Sequence, residues 1–136
     1  MSLTFTEARD EILAICHVAW IAQASPPDLY YWDIPHDPPT DTAWSRITVR
    51  HSLGRNKAIG NRIFLRGGTV TWQIFTIFGD GLSSADAFSK VAADSMQGKS
   101  TPGGVWFRNV RMREIGQDGD YFQVQVLADF EYDEVV

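Results

Sequence analysis

The chain is poor in the residues that staple a fold or span a membrane. Cys16 is its one cysteine, which excludes an internal disulfide framework and any multi-cysteine zinc site. No apolar run approaches the ~20 residues needed to cross a bilayer. Glu7, Asp10 and Glu11 stand near the start in place of a basic n-region, so no signal peptide is expected. Charge of one sign is also missing over long stretches. No acid occurs from Thr42 to Gly79, where Arg46, Arg50, Arg55, Lys57, Arg62 and Arg66 lie. No Lys or Arg follows Glu114, where Asp118, Asp120, Asp129, Glu131, Asp133 and Glu134 lie. What is present suffices for a core. Across 136 residues, 44% are hydrophobic and 12% aromatic, which excludes wholesale disorder and fits one domain. The net charge of −5 argues against a nucleic-acid binder.

Periodicity divides the chain into two helices and several strands. Thr4 with Glu7 three residues on has the form of a capping box. Ala8, Ile12, Ile15, Cys16 and Ala19 then recur at helical spacing, predicting a helix over about 6–23 that stops before Pro26–Pro27. Five of the six prolines fall between Ser25 and Thr42, so a loop is expected at about 25–42, with Tyr30, Tyr31, Trp32 and Ile34 anchoring a short extended piece. Trp44 to His51 alternates, with Ile47 and Val49 on one side and Arg46, Thr48 and Arg50 on the other. Leu53 to Asn61 reads as an exposed loop or the tip of a long hairpin. Arg62 to Phe78 carries a Gly67–Gly68 break, then Val70, Trp72, Ile74 and Phe78 at period two, opposite Thr69, Thr71, Gln73, Phe75 and Ile77. A second helix follows the Gly79–Gly81 turn, with Ser83 and Asp86 as a capping pair, Ala85, Phe88, Val91, Ala92 and Met96 as its buried stripe, and Gly98 at its C′ position. Two strands end the chain, joined through Gly116–Gly119. In the last one Phe122, Val124, Val126, Ala128, Phe130 and Tyr132 face one way. The fold class is therefore α+β: two helices on one face of a mainly antiparallel sheet, in the order α-β-β-β-α-β-β.

Catalytic chemistry finds little to attach to. His17 lies beside the apolar stripe of the first helix, where a structural role is expected, and His36 sits in the proline loop without H-x-H or H-x-x-x-H spacing. Cys16 reads as a small buried hydrophobe. No P-loop, nucleophile elbow or dinucleotide fingerprint occurs. No catalytic residue, cofactor or metal site is assigned, and no enzyme is expected.

The stretches Gly68–Gly81, Gly104–Val110 and Phe122–Asp133, with Trp44–His51 upstream, resemble a phage-related family similar to the tail-terminator proteins of long-tailed bacteriophages. The resemblance covers roughly Ala43 to Asp133, about two-thirds of the chain. It implies an α+β subunit, with no catalytic residues, of a ring that is usually hexameric. Such a ring caps the tail tube at the head-proximal end of the virion tail and offers the head its docking surface. The subunit is made in the bacterial cytoplasm, is monomeric before assembly in some cases, and partners with the tail tube and head-completion proteins, without a membrane or sequence-specific nucleic acid.

Head-to-tail ring contacts join unlike patches of one chain. The segregated charges nominate Arg46, Arg50, Arg55, Lys57, Arg62, Arg66, Asp129, Glu131 and Asp133 as interface candidates; the plainer reading is two solvated strand faces. The competing class is a small-molecule-binding or enzymatic domain with an aromatic pocket built from Trp20, Tyr30, Tyr31, Trp32 and Trp72.

Overall fold

The computed structural model describes residues 3–32, 34, 35, 37, 39–56, 62–79 and 81–135. Helix α1 spans Phe5–Ile21 and α2 spans Ser83–Met96. The strands are β1 (Asp28–Tyr31), β2 (Trp44–Asn56), β3 (Ile63–Ile77), β4 (Trp106–Asp118) and β5 (Tyr121–Val135). They form one sheet in the order β1-β2-β3-β5-β4, antiparallel throughout except for β1 beside β2. The architecture is α+β, with both helices against the sheet.

Local chemistry accounts for the helix ends. Thr4 accepts from the Glu7 amide at 3.2 Å while the Glu7 carboxylate accepts from the Thr4 amide at 3.0 Å, so the predicted capping box forms. Ala8, Ile12, Cys16 and Trp20 are fully buried, a stripe repeating every four residues; Ile15 and Ala19 lie at its margin. In α2 the expected Ser83–Asp86 cap does not form. The chain enters the helix from Gly81, at φ +84°, and Leu82 is the N-cap residue with no side-chain bond. Gly98, at φ +69°, takes the left-handed position after the helix.

The core fills the space between helices and sheet. Ile47 and Val49 of β2, Val70, Trp72 and Ile74 of β3, and Val126, Ala128 and Phe130 of β5 point into it. Trp72 meets Trp20 at 5.1 Å between centroids, and Trp20 meets Phe88 at 5.8 Å. Ala92 and Met96 of α2 are buried, whereas Phe88 and Val91 are only partly covered.

Two expectations about β3 and its hairpin change. Gly67–Gly68 does not break the strand, which runs continuously through both. A Cβ on Gly68 would run into the Arg50 carbonyl oxygen, and one on Gly67 into that of Phe130; glycine is there for close approach of the neighbouring backbones. The predicted loop from Leu53 is strand as far as Asn56, paired with β3 through Phe64 after a bulge between His51 and Leu53; residues 57–61 lie outside the described residues. β4 carries two further bulges, one at Asn109 (φ +54°) and one at Gly116 (φ +105°), which bend and twist this edge strand.

The packing ranks three substitutions. Trp72→Ala should cost about 3–5 kcal/mol, the range for a fully buried aromatic, and Phe88→Ala clearly less because part of its ring is already solvated. Gly68→Ala should cost about 1–3 kcal/mol or more, since β2 must move off β3. Urea unfolding of the three variants checks the order; an unaffected Gly68→Ala protein would refute the close-approach account.

Candidate functional site

With both helices on one side, the other face of the sheet carries no helix, and its residues follow from the strand registers. Five rows cross β2, β3, β5 and β4 in turn, the last of them Leu53, Gly67, Glu131 and Trp106. Trp44, Phe75 and Gln123 form the first; Arg46, Gln73, Gln125 and Arg113 the second. Thr48, Thr71, Leu127 and Arg111 form the third, and Arg50, Thr69, Asp129 and Arg108 the fourth.

One end of this face is aromatic. Trp44 stacks on Phe75 at 4.2 Å, and Tyr121 stands edge-on to both. The Tyr121 hydroxyl donates to the Pro39 carbonyl, tying the proline loop down at this end. The other end is an ion-pair cluster: Arg111 lies 3.5 Å from Asp129, Asn109 donates to Asp129 at 3.0 Å, and Arg108 pairs with the buried Glu131.

Between the two ends lies a cleft of about 390 Å³. Arg46 donates to the Gln73 side-chain carbonyl through two nitrogens, at 2.9 and 2.7 Å. Arg113 donates to that of Gln125 at 3.0 Å. The Arg50 guanidinium lies over the Trp32 ring at 4.9 Å, within cation–π range. Thr48, Thr71 and Leu127 complete the floor.

The nominated interface residues therefore do not form one patch. Arg46 and Arg50 lie on the open face at the cleft, and Arg55, opposite Leu65 beyond the β2 bulge, lies farther along the same face; Arg62, just before β3, is exposed; Lys57 lies outside the described residues. Arg66 is on the helix side, where it pairs with Glu134 at 2.9 Å and lies over Phe5 and Phe64. Asp129 and Glu131 engage Arg111 and Arg108 of their own chain, and Asp133 follows opposite Leu65. The five aromatics of the alternative reading are not assembled: Trp20 and Trp72 are buried in the core, whereas Trp32 stands by the open face. Arg113, Gln73 and Gln125 enter the site unforeseen, although the strand period already sets Gln73 on the polar side of β3; Trp32 is the one residue of the alternative pocket that reaches this cleft.

The helix side holds the remaining nominated groups. Burial pushes the Cys16 thiol up to about 12, with Ser95 donating to it at 3.7 Å, so it is not a thiolate at neutral pH. His17 is exposed and shares a hydrogen bond with the Tyr31 hydroxyl; His36 lies outside the described residues. Among the described residues no three metal-ligating side chains gather, and no helix is long and apolar enough to cross a membrane.

His51 is the most connected titratable group. Arg9 of α1 lies 3.3 Å from Nδ1 and the Tyr132 hydroxyl 2.8 Å from Nε2. A guanidinium only donates, so Nδ1 accepts and Nε2 carries the proton toward Tyr132. Burial first, then the charges of Arg9 and Arg66, lowers the His51 pKa. Burial, reinforced by Glu134, pushes Tyr132 up to about 12. Unfolded imidazole titrates near ~6.5, so below that value the unfolded chain takes up a proton that the folded chain resists. The stability from neutral His51 is thus present above about 6.5 and lost as pH falls through its lowered value. Urea midpoints of wild type and His51→Gln, at about pH 7.5 and about pH 5, should show a smaller acid loss in the variant; equal losses would refute this account.

No family model matches the chain, and no curated protein matches it. Among solved structures it is similar to a protein that bears no functional name, at 16% identity and a TM-score of 0.67, over 90% of this chain and 94% of that one. The likeness extends the α+β fold to a second sequence.

Proposed function

We propose that this protein is a structural assembly subunit, a tail-terminator-like ring component that caps a phage tail tube and provides the surface to which the head docks. The observation that carries this reading is the pair of unlike open edges on one sheet. β4, 13 residues long, is the outermost strand on one side, with Trp106 and Ile115 exposed on it. On the other side β1 pairs with only Trp44–Ile47, so that among the described residues the outer edge of β2 has no strand partner from Thr48 to Asn56. Long open edges are a liability in a lone subunit. A head-to-tail contact joining one edge to the other repeats identically, and closes into a ring where the rotation per subunit divides a full turn.

The sequence resemblance adds the tail-terminator role to this geometry, and with it the virion location and the tail tube and head-completion proteins as partners. A stoichiometry of six is what the resemblance implies. The apolar outer face of α1, where Val18 and Ile21 are exposed beside a groove of about 420 Å³ reaching Pro102, provides further contact surface in a packed ring.

Light scattering coupled to size-exclusion chromatography over a wide concentration range, with negative-stain imaging alone and with tail tubes, tests the proposal. The expected result is a uniform ring with a central channel. A Trp106→Glu, Ile115→Glu double variant should lose the ring and keep the unfolding midpoint of the wild-type monomer. A protein that stays monomeric at every concentration and does not bind tubes would overturn the ring.

A further inference from the structure

We propose that the cleft on the open face of the sheet is a binding site for an acidic peptide segment of a partner protein, whose carboxylates are held by Arg46, Arg50 and Arg113. The first support is the chemistry of the lining. Among the described residues its polar groups are three guanidiniums, the amides of Gln73 and Gln125, and two threonine hydroxyls, with no carboxylate among them.

The second support is how the guanidiniums are held. Elsewhere on this face Arg108 and Arg111 are neutralised by Glu131 and Asp129. In the cleft the holding groups are neutral: the Gln73 carbonyl for Arg46, the Gln125 carbonyl for Arg113 and the Trp32 ring for Arg50. Such partners orient a guanidinium without cancelling its charge. Arg46 and Arg113 stand three strand spacings apart, about 14 Å, and each reaches inward onto the adjacent glutamine, so their forks converge from opposite sides. Because each glutamine oxygen already accepts from an arginine, its amide hydrogens are left to add donors to the same floor. Holding these groups in advance reduces the ordering cost of binding.

The third support separates a peptide from a nucleic acid. The chain carries a net charge of −5, which repels a polyphosphate backbone at long range. A short acidic segment engages only the local field. Leu127 in the floor and the Trp32 ring at the margin give apolar contact to the stems of acidic side chains and to their neighbours. Bidentate arginine–carboxylate pairing then supplies the specificity. This inference does not rest on the ring, and either can fail without the other.

The test is fluorescence anisotropy of a labelled octaglutamate peptide with the full chain, at concentrations where light scattering shows one oligomeric state. Saturable binding that weakens with added salt is expected. An Arg46→Gln, Arg113→Gln variant should bind about tenfold more weakly, the scale of two lost charge-assisted bonds. An Arg55→Gln, Arg62→Gln variant, which loses the same charge outside the cleft, should bind within about twofold of wild type. Matching thermal midpoints establish that both variants are folded. Equal weakening by the two variants would overturn the site in favour of diffuse attraction. Tighter, Arg46-dependent binding of an octathymidylate would assign the cleft to nucleic acid, and complete displacement by millimolar phosphate would reduce it to a simple anion site. No binding at any salt would overturn it outright.

Discussion

Trp72 stands at the centre of the covered face, and the two helices are arranged around it. It meets Trp20 of α1, which in turn meets Phe88 of α2, so one indole on β3 sets where both helices lie. Burying a ring of that size is among the largest favourable contributions available to a small domain. Because both helices are drawn to this one face, the opposite face carries no helix, and the cleft lies on it.

The strand period of two turns the asymmetry into chemistry. Along β2, alternate residues either join the core, as Ile47 and Val49 do, or stand on the open face, as Arg46, Thr48 and Arg50 do. The same alternation on β3 and β5 places Gln73 and Gln125 side by side between two arginines. A run of six cations in the sequence is thereby divided: Arg46 and Arg50 at the cleft, Arg55 farther along the same face, Arg66 in an ion pair on the helix side and Arg62 exposed before β3, with Lys57 outside the described residues. The acids near the C-terminus are divided as well, since Asp129 and Glu131 neutralise β4 arginines of the same chain. Arg66, Asp129, Glu131 and Glu134 are matched across strands, and the cleft is where arginines are held by neutral groups.

Backbone proximity shapes the edges. Glycine at 67 and 68 lets β2 and β5 close on β3 where side chains would hold them apart. β4, in contrast, is bent by bulges at Asn109 and Gly116. A twisted, arginine-bearing edge resists indiscriminate strand addition while remaining open to a partner shaped to fit it.

Local signals in the sequence determined most of the elements. The Thr4–Glu7 cap, the one-sided β5, the order of helices and strands and the burial of Cys16 all depend on neighbours within a turn or a strand, where periodicity is decisive. Interactions between distant segments lay beyond it. The Gly67–Gly68 pair looked like a break because the carbonyls that require glycine belong to β2 and β5, far along the chain. Ser83 and Asp86 had cap spacing, but the turn at Gly81 set where α2 begins. The alternative pocket of Trp20, Tyr30, Tyr31, Trp32 and Trp72 is divided by the sheet, with Trp20, Tyr31 and Trp72 on the core side and Trp32 by the open face. Arg46, Gln73, Gln125 and Arg113 became one row only through three strand registers. A single chain carries the alternation of each strand but not the offset between strands, and that offset is set by the packing of the whole core.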